Sequence, residues 1–320
     1  MSTPDIPLFD IGAWRAAGIP ERAALAARLD RAMQDSGFFL VSGHGIDDSL
    51  KERVRAASRA FFALPDTVKD AYGTGVGGRG WIARGREANS YYGQVGDAEK
   101  ADLKETFTLG REDPDGDPAW FVANVWPTEV PGLRDTVTVY AEQVQDLYRE
   151  LLEVLATALG LEPGYFVERS RNAPHTFNIN RYPALSVTGT PVDGQFRVGP
   201  HTDWGILTIL DRQPGYGGLQ VQTRDGEWAD APYVPGAFTV NIADLLARWT
   251  GDRWRSNRHR VLPPPAAAPE EDLVSLVYFY EADHDTVVES LQPPIGRPNE
   301  YRPVLASDFL RERLDAITVH

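Results

Sequence analysis

The chain has 320 residues, 42% hydrophobic and 24% charged, enough apolar content for a substantial core in one large domain or two small ones. It contains no cysteine, which excludes disulfides, thiolate metal sites and cysteine nucleophiles. A net charge of −14 disfavours phosphate backbones as partners.

No apolar run approaches the ~20 residues of a membrane span. The start, Met1-Ser-Thr-Pro-Asp-Ile-Pro7, lacks a basic stretch followed by an apolar one, so we expect a cytoplasmic protein.

The first third reads as mostly helical. Pro20-Glu21 opens a helix with Leu25, Leu29 and Met33 on one face, closed by Gly37. Phe38 to Val41 is strand-like. Asp47 or Asp48 caps a second helix carrying Val54, Ala57, Phe61 and Phe62, which ends before Pro65. Gly73 to Gly78 contains a formal G-x-G-x-x-G. It follows a helical segment and precedes no clear helix start, so a loop near a site entrance is favoured over a dinucleotide site. Leu133 to Leu159 repeats apolar residues at three- and four-residue steps and meets Gly160, the pattern of one long core-packed helix.

From Phe177 the pattern changes to short strands punctuated by Gly, Pro and Asp. These cover Phe177–Tyr182, Gly205–Leu210, Leu219–Gln222, Ala237–Ile242 and Val274–Tyr280, with a hairpin turn at Asp225-Gly226. The expected fold is mainly β with flanking helices, a double-sheet jelly roll rather than βαβ units. Ser307 or Asp308 caps a last helix from Phe309 to Ile317. Trp204, Tyr278, Phe279 and the 79–92 segment are candidate pocket residues, although aromatic residues in strands are more often core.

Within the β region, His201-Thr-Asp203 and the distal His259 stand out. Side chains of residues i and i+2 share one face of a strand, so His201 and Asp203 can grip one ion while Thr202 points away. Two imidazoles and one carboxylate form the ligand set of a mononuclear non-haem Fe(II) site with open positions. Those positions leave room for O2, a co-substrate and a small-molecule substrate. No G-x-S-x-G elbow supports a hydrolase triad. A non-enzymatic metal- or ligand-binding jelly roll and a nicotinamide dehydrogenase are weaker readings.

The chain resembles the isopenicillin N synthase-like branch of the Fe(II)/2-oxoglutarate-dependent oxygenases. The resemblance runs through Ile6-Pro-Leu-Phe-Asp-Ile11, Ser36 to Ile46 and Asp102-Leu-Lys-Glu-Thr-Phe107. It continues through Asn180-Arg-Tyr-Pro183, His201-Thr-Asp-Trp-Gly205, Gly218-Leu-Gln-Val221, Asn241-Ile-Ala-Asp244, Arg248-Trp-Thr250 and His259-Arg-Val261. It implies a double-stranded β-helix, a distorted jelly roll, with a helical N-terminal module. The expected organisation is 1–110 for that module, 111–172 for a connecting segment with the long helix, 173–290 for the Fe(II)-binding core and 291–320 for a C-terminal extension.

The resemblance also implies Fe(II) held by His201, Asp203 and His259, and 2-oxoglutarate beside Asn180 and Tyr182 with Ser275 at its far carboxylate. The expected activity is hydroxylation, desaturation or cyclisation of a small molecule, with secondary metabolism as the associated setting. One position departs from the pattern. The family's Arg-x-Ser motif has Leu273 in place of its arginine, and no Arg or Lys lies between Arg260 and Arg297. The arginine would form a bidentate pair with the co-substrate carboxylate. Arg197 and Arg181 are candidate substitutes, Arg181 disfavoured by strand alternation. The remaining alternatives are weak or different keto-acid binding, and an oxidase needing no 2-oxoglutarate.

Overall fold

The computed structural model describes residues 4–75, 77–87, 100–113 and 115–317. The N-terminal part supplies β1 (Leu8–Asp10), α1 (Ile11–Ala16), α2 (Ile19–Asp35), β2 (Phe38–Ser42), α3 (Asp48–Phe62), α4 (Asp66–Lys69), β3 (Gly80–Ile82) and β4 (Glu105–Gly110). Next come α5 (Leu133–Ala158), α6 (Gly164–Val167), β5 (His175–Tyr182), α7 (Leu185–Thr188), β6 (Val198–His201) and β7 (Leu207–Asp211). The chain continues with β8 (Leu219–Gln222), β9 (Trp228–Asp230), β10 (Phe238–Ile242), α8 (Asp244–Trp249), β11 (His259–Val261) and β12 (Leu273–Tyr280). A small pair, β13 (Val287–Val288) and β14 (Val304–Leu305), precedes α9 (Ala306–Ile317).

The major sheet has eight strands in the order β1-β2-β10-β7-β12-β5-β4-β3. The minor sheet has four, β6-β11-β8-β9. Alternation along the major sheet explains its two faces. Phe107 and Leu109, Phe177 and Ile179, Ile209, Val240, Leu276 and Tyr278 enter the main core with the helices. Their neighbours Thr108, Thr176, Asn178, Asn180, Tyr182, Thr208, Val277 and Phe279 face a cavity shared with the minor sheet. β4, β5, β7 and β12 therefore pack on helices with one face and line the cavity with the other.

The helical layer is built on α5, which packs against α2, α3 and α6. Val137, Tyr140, Val144, Leu147, Leu151 and Leu155 form its fully buried stripe. It ends where Gly160, at φ +70°, takes the left-handed conformation that an L side chain resists. There Leu161 N–H donates to the Ala156 carbonyl at 2.9 Å, closing the last turn. Asp47 caps α3 by accepting from Ser49 N–H.

Several expectations need correction. β6 ends at His201, so Asp203 is not a strand residue; it lies in the following loop, whose main chain joins α8 through Asp244 N–H to the Asp203 carbonyl at 2.8 Å. The strand expected from Gly205 begins at Leu207. The last helix begins at Ala306, ahead of Ser307 and Asp308, so neither caps it. The first third is less helical than its periodicity suggests: β1 to β4 all join the major sheet, and the Asp102–Phe107 motif leads into β4. Of the candidate pocket segment 79–92, residues 88–92 lie outside the described residues.

Candidate metal centre

Strand pairing brings the distant histidines together. His259 on β11 is the direct cross-strand partner of His201 on β6, and their ring centroids are 4.3 Å apart. Asp203 reaches the same point from the loop. Its Oδ1 lies 3.5 Å from His201 Nε2 and 3.7 Å from His259 Nε2. One ligand atom from each of the three falls within 4.8 Å of the others.

The surroundings orient these atoms. His201 Nδ1 lies 2.7 Å from the Gly199 carbonyl, and His259 Nδ1 lies 3.2 Å from the Asn257 carbonyl. A carbonyl only accepts, so each Nδ1 carries the proton and each Nε2 presents a lone pair to the shared point. Asp203 Oδ2 accepts from Asn241 Nδ2 at 2.8 Å and from the Thr208 hydroxyl, which leaves Oδ1 free for an ion. Phe38 packs edge-on against His259, at 5.5 Å between centroids. Burial pushes the His259 imidazole down to about 4, helped by its His201 neighbour. Burial works against the Asp203 charge, yet the two imidazoles hold its carboxyl well below the usual range. Against the pull of burial, Asp203 in turn raises the His201 imidazole, so an arriving ion displaces a proton from Nε2; two imidazole lone pairs and one ionised carboxylate oxygen, facing one point, then fit a divalent iron and its open coordination positions.

The centre opens into a cavity of about 270 Å³. A larger, more open depression of about 750 Å³ around Arg248, Asp252 and Arg297 contains none of the three residues. Trp204 and Phe279 line the metal cavity, as does Gly77 of the glycine-rich loop. Tyr278 instead stacks on Phe177 at 4.2 Å in the helix-side core.

At one end, Tyr182, Asn180 and Lys104 line the wall. Ser275 lies opposite Asn180 across the β5–β12 ladder, on the same face of β12 as Val277 and Phe279. Thr106 links its hydroxyl to Asn180 Oδ1 at 2.9 Å. The two expected replacement arginines are engaged elsewhere. Arg181 bonds Asp272 at 2.8 Å and Glu105 at 3.0 Å. Arg197 is fully buried, bonds Glu271 Oε1 at 2.7 Å and lies behind the Tyr182 ring rather than in the cavity wall.

Two charged residues of the wall escaped the reading of the sequence, Lys104 and Glu281, while Arg79 and Glu87 fall within the expected 79–92 segment. Lys104 bonds the Glu87 carboxylate and the Thr106 hydroxyl. Its signal was present, since it shares strand parity with Thr106 and Thr108 in a motif already noted. Glu281 follows Phe279 by two residues. Burial, with Asp203 nearby, lifts its carboxyl to about 8.

A jelly roll that brings two histidines and an aspartate together in a partly polar cavity defines a non-haem iron oxygenase. Family comparisons agree. Residues 6–129 match the N-terminal region of non-haem dioxygenases, described from morphine synthesis, and residues 174–282 match the 2OG-Fe(II) oxygenase superfamily. The chain is 42% identical to a validamycin A dioxygenase of Streptomyces hygroscopicus subsp. limoneus, over 92% of this chain and 81% of that one. It is 33% identical to a homoarginine-6-hydroxylase of Glycine max, over 92% of this chain and 90% of the relative. A full-length Neurospora crassa enzyme crystallised with alpha-KG has the same fold, with a TM-score of 0.84 and 28% identity over 97% of this chain and 96% of that one.

The chain therefore belongs to the Fe(II)/2-oxoglutarate-dependent oxygenase superfamily. It is an oxidoreductase whose cofactor is Fe(II) and whose co-substrate is 2-oxoglutarate. Among the described residues, no helix is long and apolar enough to cross a membrane.

Proposed function

We propose that this enzyme hydroxylates a C–H bond of a small polar molecule, within the isopenicillin N synthase-like branch of the superfamily. The observation that carries this reading is the shared point of the centre, where His201 Nε2, His259 Nε2 and Asp203 Oδ1 are all held by hydrogen bonds on their far sides. His201, Asp203 and His259 would hold the iron. When bound, that iron couples oxidative decarboxylation of 2-oxoglutarate by O2 to oxidation of a substrate C–H bond.

The chain's own residues arrange the co-substrate. Asn180 and Tyr182 line one end of the cavity, Ser275 is the cross-strand partner of Asn180 there, and the three would bond its carboxylate oxygens. Leu273 supplies no charge there, and among the described residues the cation in the cavity wall at that end is Lys104, which is shared with Glu87. Its ammonium takes the part of the missing arginine, while Arg197 fixes Tyr182 from behind. The apolar wall of Phe38, Val198, Leu219 and Val261 limits water around these groups. Hydroxylation of polar small molecules is supported by the relatives, one named for validamycin A and another for the 6-hydroxylation of homoarginine.

The test is anaerobic titration of Fe(II)-loaded protein with 2-oxoglutarate, followed by visible absorption, and then succinate release on admitting O2. A saturable charge-transfer band that His201→Ala and Asp203→Ala abolish is the expected result. No band at millimolar keto acid, with iron bound, overturns the reading and leaves an oxidase whose substrate supplies all the electrons.

A further inference from the structure

We propose that Glu281 and Arg79 form a substrate-recognition pair at the outer end of the cavity, reading an amine and an acceptor oxygen on one small molecule. The inference rests on the oxygenase reading above and names the chemistry of its substrate.

The β5–β12 ladder gives the cavity an axis. Its inward pairs run from Leu273 and Tyr182, through Ser275 and Asn180, to Phe279 and Thr176. Glu281 comes just past the end of β12, roughly 20 Å from Ser275 at about 3.3 Å per residue. It therefore stands at the end opposite to Tyr182 and Lys104. Arg79 reaches the same outer end. Its Nη1 lies 3.5 Å from the Thr176 hydroxyl, and Thr176 is the cross-strand partner of Phe279, two residues before Glu281.

Neither group has an ion-pair partner among the described residues. Among the described residues, no side-chain or backbone donor reaches the Glu281 carboxyl, although its backbone carbonyl accepts from Tyr148. The carboxyl lies against Gly205, where a Cβ would come 2.4 Å from Glu281 Oε2. Arg313, the cation acting on it, is bonded to Asp244 at 3.2 Å.

Arg79 forms no ion pair among the described residues, and its Nε is buried without an acceptor. Its guanidinium lies against the Gly110 backbone, where a Cβ would come 2.2 Å from Nη2. A half-buried carboxyl without a protein donor, beside a guanidinium whose protein acceptor is one long bond from Thr176, leaves polar groups at the cavity wall free to pair with a ligand.

No ion pair joins the two, so one ligand in the cavity can engage both. A ligand ammonium draws Glu281 into its ionised form against the effect of burial, and the carboxylate then accepts from it; a guanidinium only donates, which suits carboxylate or hydroxyl oxygens. The shared chemistry is a basic amine carrying oxygen acceptors. Such a molecule is either an amino acid or an amino-polyol.

The experiment is calorimetric titration of the anaerobic Fe(II)- and 2-oxoglutarate-loaded enzyme, repeated with the metal-free protein. The probes are L-homoarginine and glucamine, which carry amines, against hexanoate and glucitol, which do not. The expected result is that at least one amine probe binds about tenfold or more tighter than its amine-free counterpart. Whichever amine probe wins identifies the source. Glu281→Gln, which keeps the shape, removes the amine preference; Glu281→Asp retains part of it. Arg79→Gln weakens the winning probe while leaving the amine preference in place.

Amine-free probes binding as tightly, no amine probe binding, or a Glu281→Gln protein with its preference intact would each overturn the proposal. Thermal unfolding midpoints of the variants report folding separately. Because 2-oxoglutarate binding is measured on the same preparations, a recognition pair that fails and an oxygenase reading that fails give different results.

Discussion

Leu273 is the direct cross-strand partner of Tyr182. Their side chains share a small apolar cluster with Val198, at the position where the related pattern carries an arginine. The keto acid's far carboxylate would thus meet a hydrocarbon surface on one side and Lys104 on another. Removing a charged partner from a buried hydrogen bond costs about 1.5–3 kcal/mol. Lys104→Met is therefore expected to weaken 2-oxoglutarate binding by roughly 10- to 100-fold in anaerobic titration. Lys104→Met strands Glu87, so the double variant with Glu87→Gln is the proper comparison, and adding Leu273→Arg to it should recover much of the loss. Unchanged affinity in the double variant would remove Lys104 from this role.

Asn241 fixes the carboxylate ligand by donating to Asp203 Oδ2 at 2.8 Å. Outer partners of metal ligands typically contribute 10- to 100-fold in affinity. Asn241→Ala is expected to lower Fe(II) affinity by roughly that range, read by competition with a chelator, while secondary structure by circular dichroism stays intact. Wild-type iron affinity in the variant would show that Thr208 orients Asp203 alone.

The metal ligands were legible because residue type and order carry them: His-x-Asp with a distal His has few other uses. Their backbone setting was less legible. Strand alternation placed His201 and Asp203 on one β-strand, whereas β6 stops at His201 and a loop joined to α8 delivers the aspartate. The long helix was read nearly to the residue, since a single apolar stripe bounded by glycine reports local physics. β3 was missed because it has only three residues, and β4 because its place as a strand rests on pairing with β3 and β5, a tertiary fact. Arg79 and Glu281 were invisible as a pair for the same reason: only the sheet register brings them to one end of the cavity.

The buried stripe of α5 connects the helical layer to the inert face of the major sheet. Leu151 is fully buried at its centre. Truncating such a leucine costs about 2–5 kcal/mol, combining lost transfer energy with a cavity. Leu151→Ala should therefore lower unfolding free energy by about that amount in urea titration, with an unchanged denaturant slope. A loss below about 0.5 kcal/mol, the level of surface substitutions, would mean the site repacks freely.

His175 gives the fold a pH dependence separate from iron binding. Its ring lies 5.7 Å from Tyr278 and 5.6 Å from Tyr280, centroid to centroid. Burial, together with Arg79 and Arg111, pushes its pKa down to about 3. In the unfolded chain the imidazole titrates near its ordinary value of about 6.5. Between these values the unfolded chain binds a proton that the folded protein does not. Stability therefore rises with pH across the window; it is complete above about 6.5 and declines as pH falls towards 3. At pH 5 the loss from this residue is about 2 kcal/mol. Urea unfolding of the metal-free protein at pH 7 and pH 5 should show that loss within the total. In His175→Phe the difference between the two pH values should shrink by about the same 2 kcal/mol, because every other titrating group is common to both proteins. An equal decline in both would mean that His175 is protonated in the folded state, with its ring open to water rather than held among the tyrosines.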